Sequence, residues 1–190
     1  MHGPLTLLFV LLLVACERVD ARGSTGMTPR IAQSLAAFRD DLGNAMVSLD
    51  AGAAATRDEL VDRYVHALET ADTAAFGAMS ITTAEFAWLY YPFTHYIRPP
   101  YELDPDVVWL LISENARKGM GRALREHGGR ALGFTGYRCG SVPERIGPNL
   151  LWNGCLLDVT IDGRVVTLRL FASIIERDGR FKFMSYANDL

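Results

Sequence analysis

Ile31, Leu35, Phe38, Leu42, Ala45 and Leu49 recur at alternating spacings of four and three. That period lays one apolar stripe along a helix. Thr28-Pro29 supplies an N-cap and a proline suited to the first turn. The spacing predicts an accessory amphipathic helix over 29–51 that docks on a domain, with Gly43 weakening it by about 1 kcal/mol relative to Ala. Gly52 and an alanine run break the pattern. Thr56-Arg57-Asp58-Glu59 then reads as a capping box, and Leu60, Val61, Tyr64, Val65 and Leu68 form the buried face of the next helix. His66 falls off that face and is expected in solvent. Asp72 is placed to cap a short helix through Ala75, Phe76 and Met79. Asp104-Pro105 opens a longer helix carrying Val108, Leu111, Ile112, Ala116 and Leu124, which stops at Gly128-Gly129.

After Gly129 the pattern becomes that of strands: 131–139, made irregular by its glycines, then 150–161, 165–177 and 181–188. Asp162-Gly163 and Asp178-Gly179 join the last three as two-residue hairpins. Two-residue turns pair Leu157 with Leu168, Ile174 with Phe183 and Phe171 with Tyr186. Alternation then sorts the side chains into two faces. One holds Cys155, Leu157, Val159, Val166, Leu168, Leu170, Ala172, Ile174, Phe183, Ser185 and Ala187, and is expected against the helices. The other holds Trp152, Leu156, Asp158, Thr167, Arg169, Phe171, Ser173, Met184, Tyr186 and Asn188. Its apolar members would make an exposed patch, which monomers avoid. Either a homodimer forms through this outer face, with Arg169 and Asn188 supplying polar contacts, or the 29–50 stripe covers it. Helices followed by an antiparallel meander give an α+β fold, with a curved sheet wrapped around the N-terminal helices.

The stretch WLYYPFTHYIRPPY, residues 88–101, holds six aromatic rings. Pro92, Pro99 and Pro100 forbid a continuous helix, so loop and short irregular turns are expected. Rings beside an apolar sheet face would form a greasy mouth for a ligand, with Tyr90, Tyr91, His95, Tyr96 and Trp109 among its walls and Arg98 available to orient a polar end. In the alternative, Trp88, Tyr91 and Phe93 fill the base of the core and the rest is rim.

The chain of 190 residues is 49% hydrophobic and carries a net charge of −3. It has no basic footprint, which argues against nucleic acid as a partner. Leu5 to Val14 is apolar apart from Thr6, too short to span a bilayer, which needs about 20 residues. Leu13-Val14-Ala15-Cys16 follows and resembles the lipobox of bacterial lipoproteins, although Met1 to Pro4 has no Lys or Arg. The resemblance implies a signal peptide over 1–15, acylation of Cys16, membrane anchoring through acyl chains and a flexible tether over 16–28. Glu17, in place of an inner-membrane-retaining Asp, favours the periplasmic side of the outer membrane. Cys139 and Cys155 then remain, in an oxidising compartment. A hairpin turning near Pro148 would bring them opposite each other in a disulfide; otherwise they are two small buried hydrophobes. No spacing supports a metal site, and no cofactor motif is present.

TRDELVDRYVHALETADTAAFGAM (56–79) and VVTLRLFASIIERDGRFKFMSYAND (165–189) resemble the opening helices and closing hairpin of the nuclear transport factor two-like superfamily. The resemblance covers residues 56–190 and implies a cone, in which a curved sheet surrounds a long helix and a cavity opens at the wide end. That superfamily includes ketosteroid isomerases, polyketide cyclases, dehydratases and binding-only members. Its enzymes need acid/base groups inside the cone. The clear strands here offer only Ser185, so chemistry would have to come from Tyr64, Glu85, His95 or Glu114. No catalytic residue is assigned. The expectation is a lipid-anchored protein that binds an apolar small molecule or a protein partner. An isomerase, cyclase or dehydratase, or an accessory subunit of an envelope complex, stands as the alternative.

Overall fold

The computed structural model describes residues 26–43 and 47–186. Cys16 with its leader and most of the tether, Ala45, Ala187 and Asn188 lie outside them.

Helix α1 runs Pro29–Asp40, with proline in its first turn. It is shorter than the predicted 29–51. The helix stops at Asp40, and Gly43 takes a φ of 76°, a left-handed conformation that glycine adopts without steric cost. The stripe still does its work: Ile31, Leu35 and Leu49 are buried in one core, with Phe38 and Leu42 at its edge. Helix α2, Arg57–Glu69, starts where Thr56 Oγ1 accepts from the Glu59 N–H at 3.1 Å. The Glu59 carboxylate accepts in turn from the Ala55 N–H at 2.8 Å. Helix α3, Thr73–Met79, is capped by Asp72, which accepts from the N–H groups of Ala74 and Ala75. A short α4, Thr83–Glu85, starts on a capping box with Thr82 and passes into a π-helical turn, Phe86–Tyr90. Helix α5, Pro105–His127, ends at Gly128.

The strands form two antiparallel sheets. Strands β1 (Phe134–Arg138), β4 (Leu156–Ile161) and β5 (Arg164–Leu168) lie in the order β1-β4-β5. Strands β2 (Glu144–Ile146), β3 (Asn149–Asn153), β6 (Ser173–Arg177) and β7 (Arg180–Ser185) lie in the order β2-β3-β6-β7. Both Asp-Gly pairs make hairpin turns with positive φ at each residue, 49° and 73°, then 52° and 71°. Leu157 pairs with Leu168 and Ile174 with Phe183, as those turns dictate.

The predicted strands 150–161 and 165–177 each break in the middle, and the face assignment changes at the breaks. Gly154 takes a φ of 64° between β3 and β4. Trp152 consequently packs against the same core as Cys155 and Leu157. Between β6 and β7 the register slips by one, so that Ser173 pairs with Ser185 and Met184 is the extra residue. A bulge reverses which side the following residues face. The expected Phe171–Tyr186 pair is therefore absent, and both rings join the core that holds Ile174 and Phe183.

The four-stranded sheet is thus buried on both sides. In the first core the Tyr64 ring has Phe76, Phe171, Phe183 and Tyr186 within 5.2–5.8 Å, centroid to centroid. In the second core Ile31, Leu35, Phe86, Tyr91 and Val108 pack with Leu151, Ile175 and Met184. The exposed outer patch expected to drive a homodimer does not form: Phe171, Met184 and Tyr186 are buried within the chain. The bulge turns two of them inward, and the α1 side of the molecule covers the third. Cys139 and Cys155 are disulfide-bonded. They continue the β1–β4 ladder one step past Arg138 and Leu156, so the bridge pins the corner where the chain crosses from one sheet to the other.

Candidate ligand groove

Four of the five expected pocket residues, Tyr90, Tyr91, Tyr96 and Trp109, meet in the second core, but the five do not line one recess together. Tyr90 and Tyr91 are buried in the second core. The Tyr91 hydroxyl donates to the Leu103 carbonyl at 2.6 Å. Burial, reinforced by the negative charge of Asp104, pushes it up to about 12. His95 is exposed and stacks with Tyr96 and Tyr101, at 4.1 and 4.9 Å between centroids. Trp109 packs on Phe86 at 5.2 Å, at the edge of the same second core. The aromatic stretch is therefore mainly packing, as in the core-filling alternative. Its backbone is tied to the sheet: the Leu89 carbonyl accepts from Asn149 at 2.8 Å and from Arg177 at 3.2 Å. Phe93 lies against the β2–β3 turn, where a Cβ on Gly147 would come within 2.4 Å of its ring.

An apolar groove of about 250 Å3 opens instead between α3 and α5, at the end of β7. Phe76, Met184 and Tyr186 make the buried floor. Trp109, Ile112, Ala116 and Met120 line the α5 side, and Gly77 and Ser80 the α3 side. The positions on α5 repeat at helical spacing, so one face of the helix supplies the whole wall. Arg117, ion-paired with Glu114 at 2.7 Å, stands at this site with its side chain largely exposed. The Tyr186 hydroxyl is committed, donating to the Phe76 carbonyl at 2.8 Å, and burial raises its pKa. Only Trp109 of the expected ligand residues lines this groove. The rest of the lining comes from α5 itself, from α3 and the residues just after it, and from the end of β7, and a helical or strand period cannot show that those elements meet.

The candidate acid/base groups are dispersed. Tyr64 is buried, its hydroxyl donating to the Leu170 carbonyl at 3.1 Å, and burial holds its proton firmly. Glu114 is ion-paired to Arg117, whose hydrogen bond holds the carboxyl below its ordinary range. Glu85 is buried with a partner that sequence reasoning missed, Lys182. The Lys182 ammonium donates to both carboxylate oxygens, at 2.8 and 2.9 Å, and the Thr82 N–H donates to one of them at 2.7 Å. This pair lies in the second core beneath β7 and outside the groove. Its satisfied geometry is that of a structural ion pair. Among the described residues no group of three or more His, Cys, Asp or Glu side chains could hold a metal ion. No helix among them is long and apolar enough to cross a membrane.

Comparison with family models, with curated proteins and with solved structures gave no match.

Proposed function

We propose that this chain is a lipid-anchored protein of the bacterial cell envelope, held through Cys16 on the periplasmic side of the outer membrane. It binds an apolar small molecule in the α3–α5 groove without transforming it. The observation that carries the ligand reading is the groove itself: a recess walled by Phe76, Trp109, Ile112, Met120, Met184 and Tyr186, left open in a molecule whose two cores are otherwise filled. Its volume of about 250 Å3 lies just below the roughly 300–1,000 Å3 of small-molecule sites. Binding without chemistry is supported by the committed Tyr186 hydroxyl and by the Glu85–Lys182 pair, neither member of which lines the groove.

For residues 56–190 we retain the nuclear transport factor two-like cone as the proposed fold. Its support is that α2, α3 and α5 precede all seven strands and pack on a bent antiparallel hairpin. The rings around Tyr64 fill the space where that fold would hold a ligand, which moves the seat to the groove. The same filled core favours the second reading, an accessory subunit of an envelope complex.

The test is titration of the neutral lipophilic probe N-phenyl-1-naphthylamine into the wild type and two groove-filling variants, Gly77→Leu and Ala116→Trp. A Cβ on Gly77 meets nothing within 4 Å, so the first variant starts its side chain in open space at the recess that Gly77 lines. Saturable binding by the wild type, weakened at least about tenfold in both variants, a loss of about 1.4 kcal/mol, supports the reading. A wild type that binds no probe, or variants that bind it unchanged, rejects it.

A further inference from the structure

We infer that the exposed ridge on the first turns of α5 is the surface that rests on the bilayer, an inference that builds on the proposed acylation of Cys16. Val107, Leu110 and Leu111 are 42%, 59% and 55% exposed. Their spacing of three and four places them side by side on one helix face. The same turns bury Val108 and half-bury Trp109 and Ile112 against the second core. These three aliphatic side chains are therefore surplus to the packing of their own helix. Tyr101, 53% exposed, stands in the loop leading into α5 and completes a ring cluster with His95 and Tyr96.

The chain arriving from Cys16 joins the domain at this same end. Arg30, in the first turn of α1, is ion-paired with Asp104 at 2.8 Å and donates to the Glu102 carbonyl. That fastens the start of α1 to the start of α5. Gly26 lies beside Arg98, where an added Cβ would sit 3.9 Å from that side chain. Cys16 is ten positions before Gly26, a reach of at most about 33–36 Å. An anchor attached so close to the ridge holds that end of the domain near the lipid surface. Its make-up suits an interface: aliphatic side chains to enter the boundary, tyrosine at headgroup level, and exposed cations, Arg98 and Lys118, for anionic lipid. The opposing charges at this end are Asp41 and Asp106, which share a recess with the Arg30-paired Asp104 beside the start of α5, and Glu102 in the preceding loop, while Glu114 is paired with Arg117.

The experiment uses the full acylated chain reconstituted into vesicles of phosphatidylethanolamine and phosphatidylglycerol. Nitroxide labels are placed on Leu110→Cys, Leu111→Cys and, as a reference, Val165→Cys on the exposed edge strand β5. The expected result is a severalfold rise in the ratio of oxygen to aqueous-nickel collisions at 110 and 111, with 165 unchanged. Labels at 110 and 111 that stay as water-accessible as 165 in the anchored protein overturn the ridge alone. Spin–spin broadening at 110 without oxygen access also overturns it, by assigning the ridge to a second copy. A wild type that takes up no fatty-acid label at Cys16, judged against Cys16→Ser, overturns the anchor and the ridge together.

Discussion

Lys182 lies between Phe181 and Phe183, which pack in the first core, while Lys182 itself faces the second. Its ammonium and the Glu85 carboxylate are both buried, so each depends on the other for solvation. Removing one partner strands a charge in an apolar layer. Lys182→Met is expected to lose about 3–5 kcal/mol of stability in urea unfolding. Lys182→Met combined with Glu85→Gln should recover much of it, because the amide oxygen still accepts from Thr82. A single variant within about 1 kcal/mol of wild type would show that water reaches the pair. Half of this arrangement was legible in the chain. Alternation from the Asp178-Gly179 turn puts Lys182 and Met184 on one face. Glu85 stands out as an acid beside an aromatic run. Their meeting depends on a contact spanning 97 positions, which no local period carries.

Turn chemistry transferred to the elements directly. Both Asp-Gly pairs need positive φ at two successive residues, and few dipeptides tolerate that, so the two hairpins and their near-turn registers were readable. The helix starts at Thr56, Asp72 and Asp104 were readable for the same local reason. The bulge at Met184 and the break at Gly154 were not, since both strands bend to keep rings and aliphatic side chains in the first core. Trp152, Phe171 and Tyr186, all assigned to the outer face, joined the first core instead, which is why the outer patch looked exposed in the sequence. Helix α1 now has a specific task, covering the second core with Ile31 and Leu35. Deleting residues 17–51 is expected to expose Met184 and Phe86 and to give a protein that aggregates at concentrations where the full chain stays soluble. Light scattering on the two proteins decides this. A deletion protein that stays soluble and keeps its near-ultraviolet spectrum would show that α1 is dispensable to the fold.

At the scale of the molecule, a sheet covered on both faces has no open side left for a cone-mouth ligand. What it leaves accessible is at its margin, where α3, α5 and the end of β7 meet without closing. Six rings in fourteen residues suggested a binding mouth. The fold spends most of them joining α4 to α5 across the end of the sheet, and the groove takes its rings from Phe76, Trp109 and Tyr186. The groove also owns two of the chain's methionines, Met120 and Met184, whereas Met79 sits in the first core and Met27 at the edge of the second. Methyl-selective NMR of methionine-labelled full chain, titrated with N-phenyl-1-naphthylamine, therefore reads the seat of binding directly. Saturable shifts of the Met120 and Met184 methyl signals, with Met27 and Met79 unmoved, are the predicted result. A probe that binds while Met120 and Met184 stay still would contradict it.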